Sequence, residues 1–184
     1  MGVFIDMMPD RIYIIGYMCS GKSSISRRLA NKLGYQAFDT DDMFEEKYHI
    51  SVQDFFDKYG EDYFRKFESE ILKKTGELHD AVISTGGGTP CFFDNMQWMN
   101  ENGVTVFVKI SPATAANRLL TARRKRPLIN GKTEDELKQY VENHYNSRLM
   151  YYEQAMLTVK GENVDIDEIF EKIKMINHIV NQTD

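Results

Sequence analysis

Short apolar runs alternate along the chain with segments whose apolar residues recur every three or four positions. Arg11-Ile-Tyr-Ile-Ile15 is an almost unbroken apolar run of strand length and predicts a buried strand. Ser23 to Leu33 follows, with Ile25, Leu29 and Leu33 on one face and Gly34 as a stop, the pattern of an amphipathic helix. Tyr35–Phe38 predicts a second strand. Ser51 opens another helix, with Asp54 three residues on, and Gly60 breaks it. Asp62 to Thr75 resumes the helical period with Phe64, Phe67, Ile71 and Leu72 as its apolar face. Ala81-Val-Ile-Ser84 predicts a third strand running into Thr85-Gly-Gly-Gly88, and Val104 to Ile110 a fourth. Ser111-Pro112 reads as an N-cap followed by proline at the first helical position. Thr133-x-x-Glu136 reads as a capping box for a helix running towards Tyr152. Met156 to Val159 predicts a fifth strand, and Val164 onward an amphipathic last helix. Alternation of this kind predicts an α/β fold, a parallel sheet covered by helices on both faces. Ligands of such sheets bind beyond the carboxyl ends of the strands.

Composition narrows the partners. The chain has 184 residues, one domain's worth, and no internal repeat, low-complexity tract or linker. The net charge of -5 disfavours a nucleic-acid partner, which selects for a basic balance. No apolar run approaches the roughly 18 residues of a membrane span. The apolar patch Val3–Ile5 is too short for a signal peptide, and Asp6 stands where a myristoylation signal wants Ser or Thr. Two cysteines, Cys19 and Cys91, form no C-x-x-C, and the four histidines are scattered. A reducing cytoplasm fits that usage, and a zinc site or disulfide framework does not.

Gly16 to Ser23 fits G-x-x-x-x-G-K-[ST] between a predicted strand and a predicted helix. Such a loop turns its backbone N–H groups onto phosphate oxygens, and the helix N-terminus adds its positive end. Cys19, Ser20, Gly21, Lys22, Ser23 and Ser24 are the candidate nucleotide-binding residues. Lys22 would reach the outer phosphates, and the Ser23 hydroxyl would hold Mg2+. Cys19 occupies a variable position of the loop, where only the main-chain N–H is required. The motif alone says that ATP or GTP binds. It leaves kinase, ATPase and switch undivided.

Other segments offer groups for an acceptor. Asp39 and Asp41 lie two apart at a strand end. One could join a Mg2+ water shell, the other accept a hydroxyl proton or grip a diol, and helix capping accounts for either equally well. Arg65 and Glu68 sit at the edge of and within the apolar arc of their helix. They form either a surface i,i+3 pair or a half-buried pair in which Glu68 aims Arg65 at an anion. Gly86-Gly-Gly88 exceeds what a turn needs and suggests backbone lying close to a ligand. Arg123-Arg-Lys-Arg126 is either a solvated basic patch or part of a lid that brings an arginine over a transferring phosphoryl group. Arg148 is a lone arginine among aromatics.

Together these residues resemble the shikimate kinases. The matching stretches are GYMCSGKS (Gly16–Ser23), the DTD of Asp39–Asp41, the FRKFE of Phe64–Glu68, Gly86–Gly88, the RPL of Arg126–Leu128 and the R-x-x-x-Y of Arg148–Tyr152. They stand in the family's order at its approximate spacing and cover about Arg11 to Val159. The resemblance implies a P-loop NTPase-type three-layer fold. Its five-stranded parallel sheet has the order 2-3-1-4-5, with helices on both faces and a mobile lid at about 119–132. It implies transfer of the γ-phosphoryl of ATP to the 3-hydroxyl of shikimate with Mg2+, in chorismate and aromatic amino acid biosynthesis, by a protein that is usually a monomer. Carried over by position, Lys22, Asp41 and Arg126 are the catalytic residues, Arg126 also reaching ATP. Asp41, Arg65, Gly87 and Arg148 hold shikimate, and Ser23 and Asp39 serve the metal. Two positions depart from the family's pattern. Cys19 stands where glycine is common, and Arg118 lies eight residues before Arg126, where the family's adenine-stacking arginine lies about seven before it. A gluconate-like kinase and a non-catalytic nucleotide-binding module are the rival readings. The DTD, GGG and RPL set speaks against the first, and the retained Lys22, Ser23, Asp41 and Arg126 against the second.

Overall fold

β1 (Arg11–Ile15) is buried from Ile12 onward, and successive side chains enter different cores. Tyr13 and Ile15 pack with Leu119, Leu137 and Val141 on one face, while Ile12 and Ile14 pack with Ile25, Leu29 and Ile173 on the other. That two-sided burial is why the run reads as continuously apolar, and it is the signature of a parallel sheet between helical layers. Each fully buried Ile or Leu contributes about 1.5–3 kcal/mol to holding the layers together.

The architecture comes from a computed structural model that describes residues 8–121 and 133–180, with side chains described to residue 176. After β1 come α1 (Lys22–Leu33), β2 (Gln36–Asp39), α2 (Thr40–Tyr48), α3 (Val52–Tyr59), α4 (Glu61–Lys74) and β3 (Ala81–Ser84). α5 (Asn95–Asn102), β4 (Val104–Lys109), α6 (Pro112–Thr121), α7 (Glu134–Tyr152), β5 (Leu157–Lys160) and α8 (Ile166–Val180) complete the order. The five strands form one parallel sheet in the order β2-β3-β1-β4-β5, as the resemblance implies. Phe44, Phe55, Phe64 and Ile71 make a third, smaller core among α2, α3 and α4, beside the sheet.

The cap signals act as expected. Thr133 and Glu136 exchange both bonds of a capping box, Thr133 N donating to Glu136 Oε2 at 2.8 Å. Ser51 caps α3 by accepting from Asp54 N, and Ser111 Oγ accepts from Thr114 N at the start of α6. β2 and β5 each begin one residue later than the apolar pattern indicates. α5 has no strong amphipathic pattern, and only Asn95, Met96 and Met99 along it are buried. It supplies the crossover from β3 to β4 that two parallel strands require. Of the lid expected at about 119–132, residues 119–121 are the last of α6, with Leu119 buried, and the rest, including Arg126, lies outside the described residues. No described helix is long and apolar enough to cross a membrane.

The order places β2, β3 and β1 side by side. Their carboxyl ends therefore open together, and the sequence after each end carries one part of the site.

Candidate active site

Beyond β1 the chain wraps into the phosphate loop. Tyr17 O accepts from Ser20 N at 3.2 Å and from Lys22 Nζ at 2.9 Å, which folds the lysine back over the loop. α1 begins at Lys22 with no side-chain cap and no acidic residue in its first turn. Its first N–H groups and positive end thus face the cleft, the donor set an anion wants. Cys19 has φ 61°, the left-handed region. A residue with a Cβ holds that conformation at a cost of about 1–2 kcal/mol, which explains glycine as the family's common choice there. Arg118 steadies the strained turn: Nη1 donates to Cys19 O at 3.0 Å and Nη2 to Gly161 O at 3.3 Å.

Beyond β2, Asp39 does two things at once. Oδ1 accepts from Asp41 N at 3.0 Å and caps α2, while Oδ2 accepts from Ser23 Oγ at 2.8 Å. The capping account and the metal-shell account are therefore compatible. Asp41 shares a cleft of about 260 Å³ with Met18, Cys19, Gly21, Lys22, Ser23, Ser24 and Asp39 on one side and Thr85, Gly86 and Gly87 on the other. Ser20 turns inward instead; its buried Oγ has no hydrogen-bond partner among the described residues. A larger depression of about 410 Å³ lies between α1 and the start of α8, and none of the candidate residues lines it.

Arg65 and Glu68 form the half-hidden pair rather than the surface one. Arg65 Nη1 donates to Glu68 Oε2 at 2.8 Å, and both side chains are almost fully buried. Glu61 Oε1 accepts from Arg65 Nε and Nη2, and the guanidinium stacks on Phe92 at 4.3 Å from the ring centroid. Burial opposes the charge on Arg65, but Glu68 and Glu61 outweigh it and its pKa is raised. Glu68 Oε1 also accepts from Thr89 Oγ1 at 2.7 Å, tying α4 to the loop beyond β3.

That loop is the triple glycine, and it is glycine for reasons of space. A Cβ on Gly88 would lie 2.6 Å from Arg65 Nη1, and one on Gly86 2.7 Å from Glu68 Oε1 and 3.2 Å from Asp41 Oδ1. Gly88 has φ -91°, which any residue adopts, so the demand there is purely for room. Gly88→Ala should displace the Arg65 guanidinium and raise KM for the acceptor by about ten- to a hundred-fold. Steady-state kinetics showing an unchanged KM would mean that Arg65 does not hold the acceptor.

α7 closes the cleft from the far side. Tyr152 Oη donates to Gly87 O at 2.6 Å and is bonded by Arg148. The charges of Arg148 and Arg65 both act on Cys91 and on His144. Burial pushes the Cys91 thiol up to about 11 despite them, so it is no nucleophile at neutral pH. Tyr17 Oη and His144 Nδ1 hydrogen-bond at 2.8 Å.

The described structure thus brings Lys22, Ser23, Asp39, Asp41 and Gly87 onto one cleft, with Arg65 and Arg148 beside it. Sequence reasoning passes over Glu61, Thr89, Tyr17 and His144. Only Glu61, one turn before Arg65, is detectable by spacing. A metal fits the donor set in one respect: the Ser23 hydroxyl and Asp39 carboxylate meet beside the uncapped helix end. The buried Thr85 Oγ1 in the same wall has no partner among the described residues. No cluster of three or more His, Cys, Asp or Glu able to bind a metal alone occurs among those residues, so phosphate and water would supply the remaining ligands.

The family model for shikimate kinase matches residues 18–177. The shikimate kinase of Bacteroides fragilis is 37% identical over 172 residues, covering 93% of this chain and 96% of that protein. The crystal structure of shikimate kinase from Bacteroides thetaiotaomicron superposes with a TM-score of 0.80 at 35% identity, covering 94% of this chain and 98% of that one. The shikimate kinase from Acinetobacter baumannii, solved in complex with shikimate, gives 0.77 at 26% identity over 95% and 94%. By cleft, sheet order and likeness along nearly its whole length, the chain belongs to the shikimate kinase family.

Proposed function

We propose that the cleft transfers the γ-phosphoryl group of ATP to the 3-hydroxyl of shikimate, giving ADP and shikimate 3-phosphate. The observation that carries the reading is the meeting of the phosphate-loop Lys22 and the carboxylate of Asp41 in one cleft beyond β1 and β2, with the buried guanidinium of Arg65 against the glycine loop that follows β3. Shikimate is a small ring with one carboxylate and three hydroxyls. The planar forks of Arg65 and Arg148 suit the carboxylate. Asp41 accepts from the hydroxyls, and Gly87 brings main chain against the ring. ATP supplies the phosphoryl group and Mg2+ offsets phosphate charge. Ser23 and Asp39 would hold the metal, the serine as ligand and the carboxylate through its water shell. Asp41 takes the 3-hydroxyl proton as the new O–P bond forms and the bond from phosphorus to the β,γ-bridging oxygen breaks. Lys22 neutralises the charge that moves onto the leaving phosphate. Arg126, beyond the described residues, is assigned by its place in the family's RPL motif and would cover the phosphates.

Release of ADP, coupled to an oxidisable reporter and measured across shikimate, quinate, gluconate and no acceptor, tests the reading. Turnover should require shikimate and a divalent cation. Turnover with gluconate or quinate and none with shikimate would overturn it.

A further inference from the structure

Tyr17 sits in the phosphate loop, yet its side chain leaves that loop. The ring is fully buried, lies edge-on to His144 at 5.6 Å and 73°, and packs on Tyr145 at 5.3 Å. Its hydroxyl meets His144 Nδ1 at 2.8 Å, across 127 positions of sequence. Its carbonyl, at the other end of the residue, accepts from Lys22 Nζ at 2.9 Å. One residue therefore links α7 to the lysine on which phosphoryl transfer depends. The imidazole is itself fixed, stacked on Tyr140 at 5.3 Å and 25°.

His144, Arg148 and Tyr152 are spaced by four and so follow one another along a single face of α7. His144 meets the phosphate loop through Tyr17, and Tyr152 meets the glycine loop through Gly87 O. The two walls of the cleft are thus fastened to one helix, two turns apart.

We propose that His144 is a positioning residue of the reaction: through the Tyr17 hydroxyl it fixes the main-chain carbonyl that holds the Lys22 ammonium in place. This rests on the reading of Lys22 as the phosphoryl-transfer lysine. Burial, with Arg148 next and Arg65 adding, pushes the imidazole down to about 4 against the opposing Glu61 carboxylate. The ring is therefore neutral at pH 7. It adds no charge to the site, and what it contributes is geometry.

The test uses Tyr17→Phe, His144→Leu, their combination and His144→Asn, which keeps a hydrogen-bonding atom near the place of Nδ1. Each is assayed for kcat with shikimate and for ADP affinity by calorimetry without acceptor. One buried hydrogen bond is worth about a five- to ten-fold change. Tyr17→Phe and His144→Leu should each lower kcat and weaken ADP binding by about that factor. The double variant should lose no more than either single one, and His144→Asn should recover most of both. Multiplying losses in the double variant would overturn the proposal. So would a fall in thermal midpoint with ADP affinity and kcat unchanged. Tyr17→Phe removes a single hydroxyl and decides the matter alone should His144→Leu not fold. Wild-type turnover and calorimetry in the same series separate failure here from failure of the shikimate reading, because ADP binding is measured without an acceptor.

Discussion

Lys22→Ala is expected to lower kcat by about two to three orders of magnitude while KM for shikimate moves by less than about three-fold. The Lys22 side chain is largely buried in the wall of the cleft, its ammonium donating to Tyr17 O at 2.9 Å, at the uncapped end of α1. In that water-poor setting a fixed positive charge acts on the moving phosphate charge with little solvent screening. Arg65 and Arg148, the residues proposed to hold the acceptor, lie elsewhere and keep their partners. Steady-state kinetics on the variant check the split. A large rise in the shikimate KM with kcat preserved would place Lys22 on the acceptor and remove it from the phosphate.

Arg65→Ala should have two large effects rather than one. Loss of the carboxylate fork should raise the shikimate KM by about a hundred-fold, in line with the loss of a charged hydrogen-bonding partner. It also strands Glu68, whose side chain is only 4% exposed and would keep Thr89 but lose its cation. Leaving a buried charge without its partner costs about 3–5 kcal/mol, so the thermal midpoint should fall steeply. Arg65→Lys restores a cation without the fork, so it should recover much of the midpoint and little of the KM. Thermal unfolding together with kinetics on both variants decides it. A midpoint untouched by Arg65→Ala would mean that the Arg65–Glu68 pair is not buried in solution.

The strands and capped helices were legible because local chemistry determines them. Ile12 to Ile15 must lie between two apolar layers, and Thr133 with Glu136 satisfies a helix start from residues three apart. α5 was not legible from periodicity, since Asn95, Met96 and Met99 are its only buried positions. The need for a crossover between parallel strands is what calls for it. The site divides the same way. Lys22, Asp41 and Gly86–Gly88 stand out because they sit at strand ends in unusual local sequence. The pairing of Tyr17 with His144, and of Glu68 with Thr89, depends on segments distant in sequence, and no local pattern announces it. The space-filling reason for Gly86 and Gly88 likewise appears only once Asp41, Arg65 and Glu68 surround them.

The strand order also governs when binding competence can arise as the chain grows. β1 leads into the phosphate loop and β2 ends on Asp39 and leads into Asp41, yet the two strands do not pair with each other. Both hydrogen-bond to β3, Ile12 aligning with Val82 and Phe38 with Ile83. Until Ala81–Ser84 has been synthesised, the first two strands have no common edge to join. Parallel pairings over such separations close long loops and form late. β3 also leads directly into the triple glycine. The same short segment that joins the phosphate-loop strand to the strand leading into Asp41 therefore delivers the glycine backbone that lines the cleft between them.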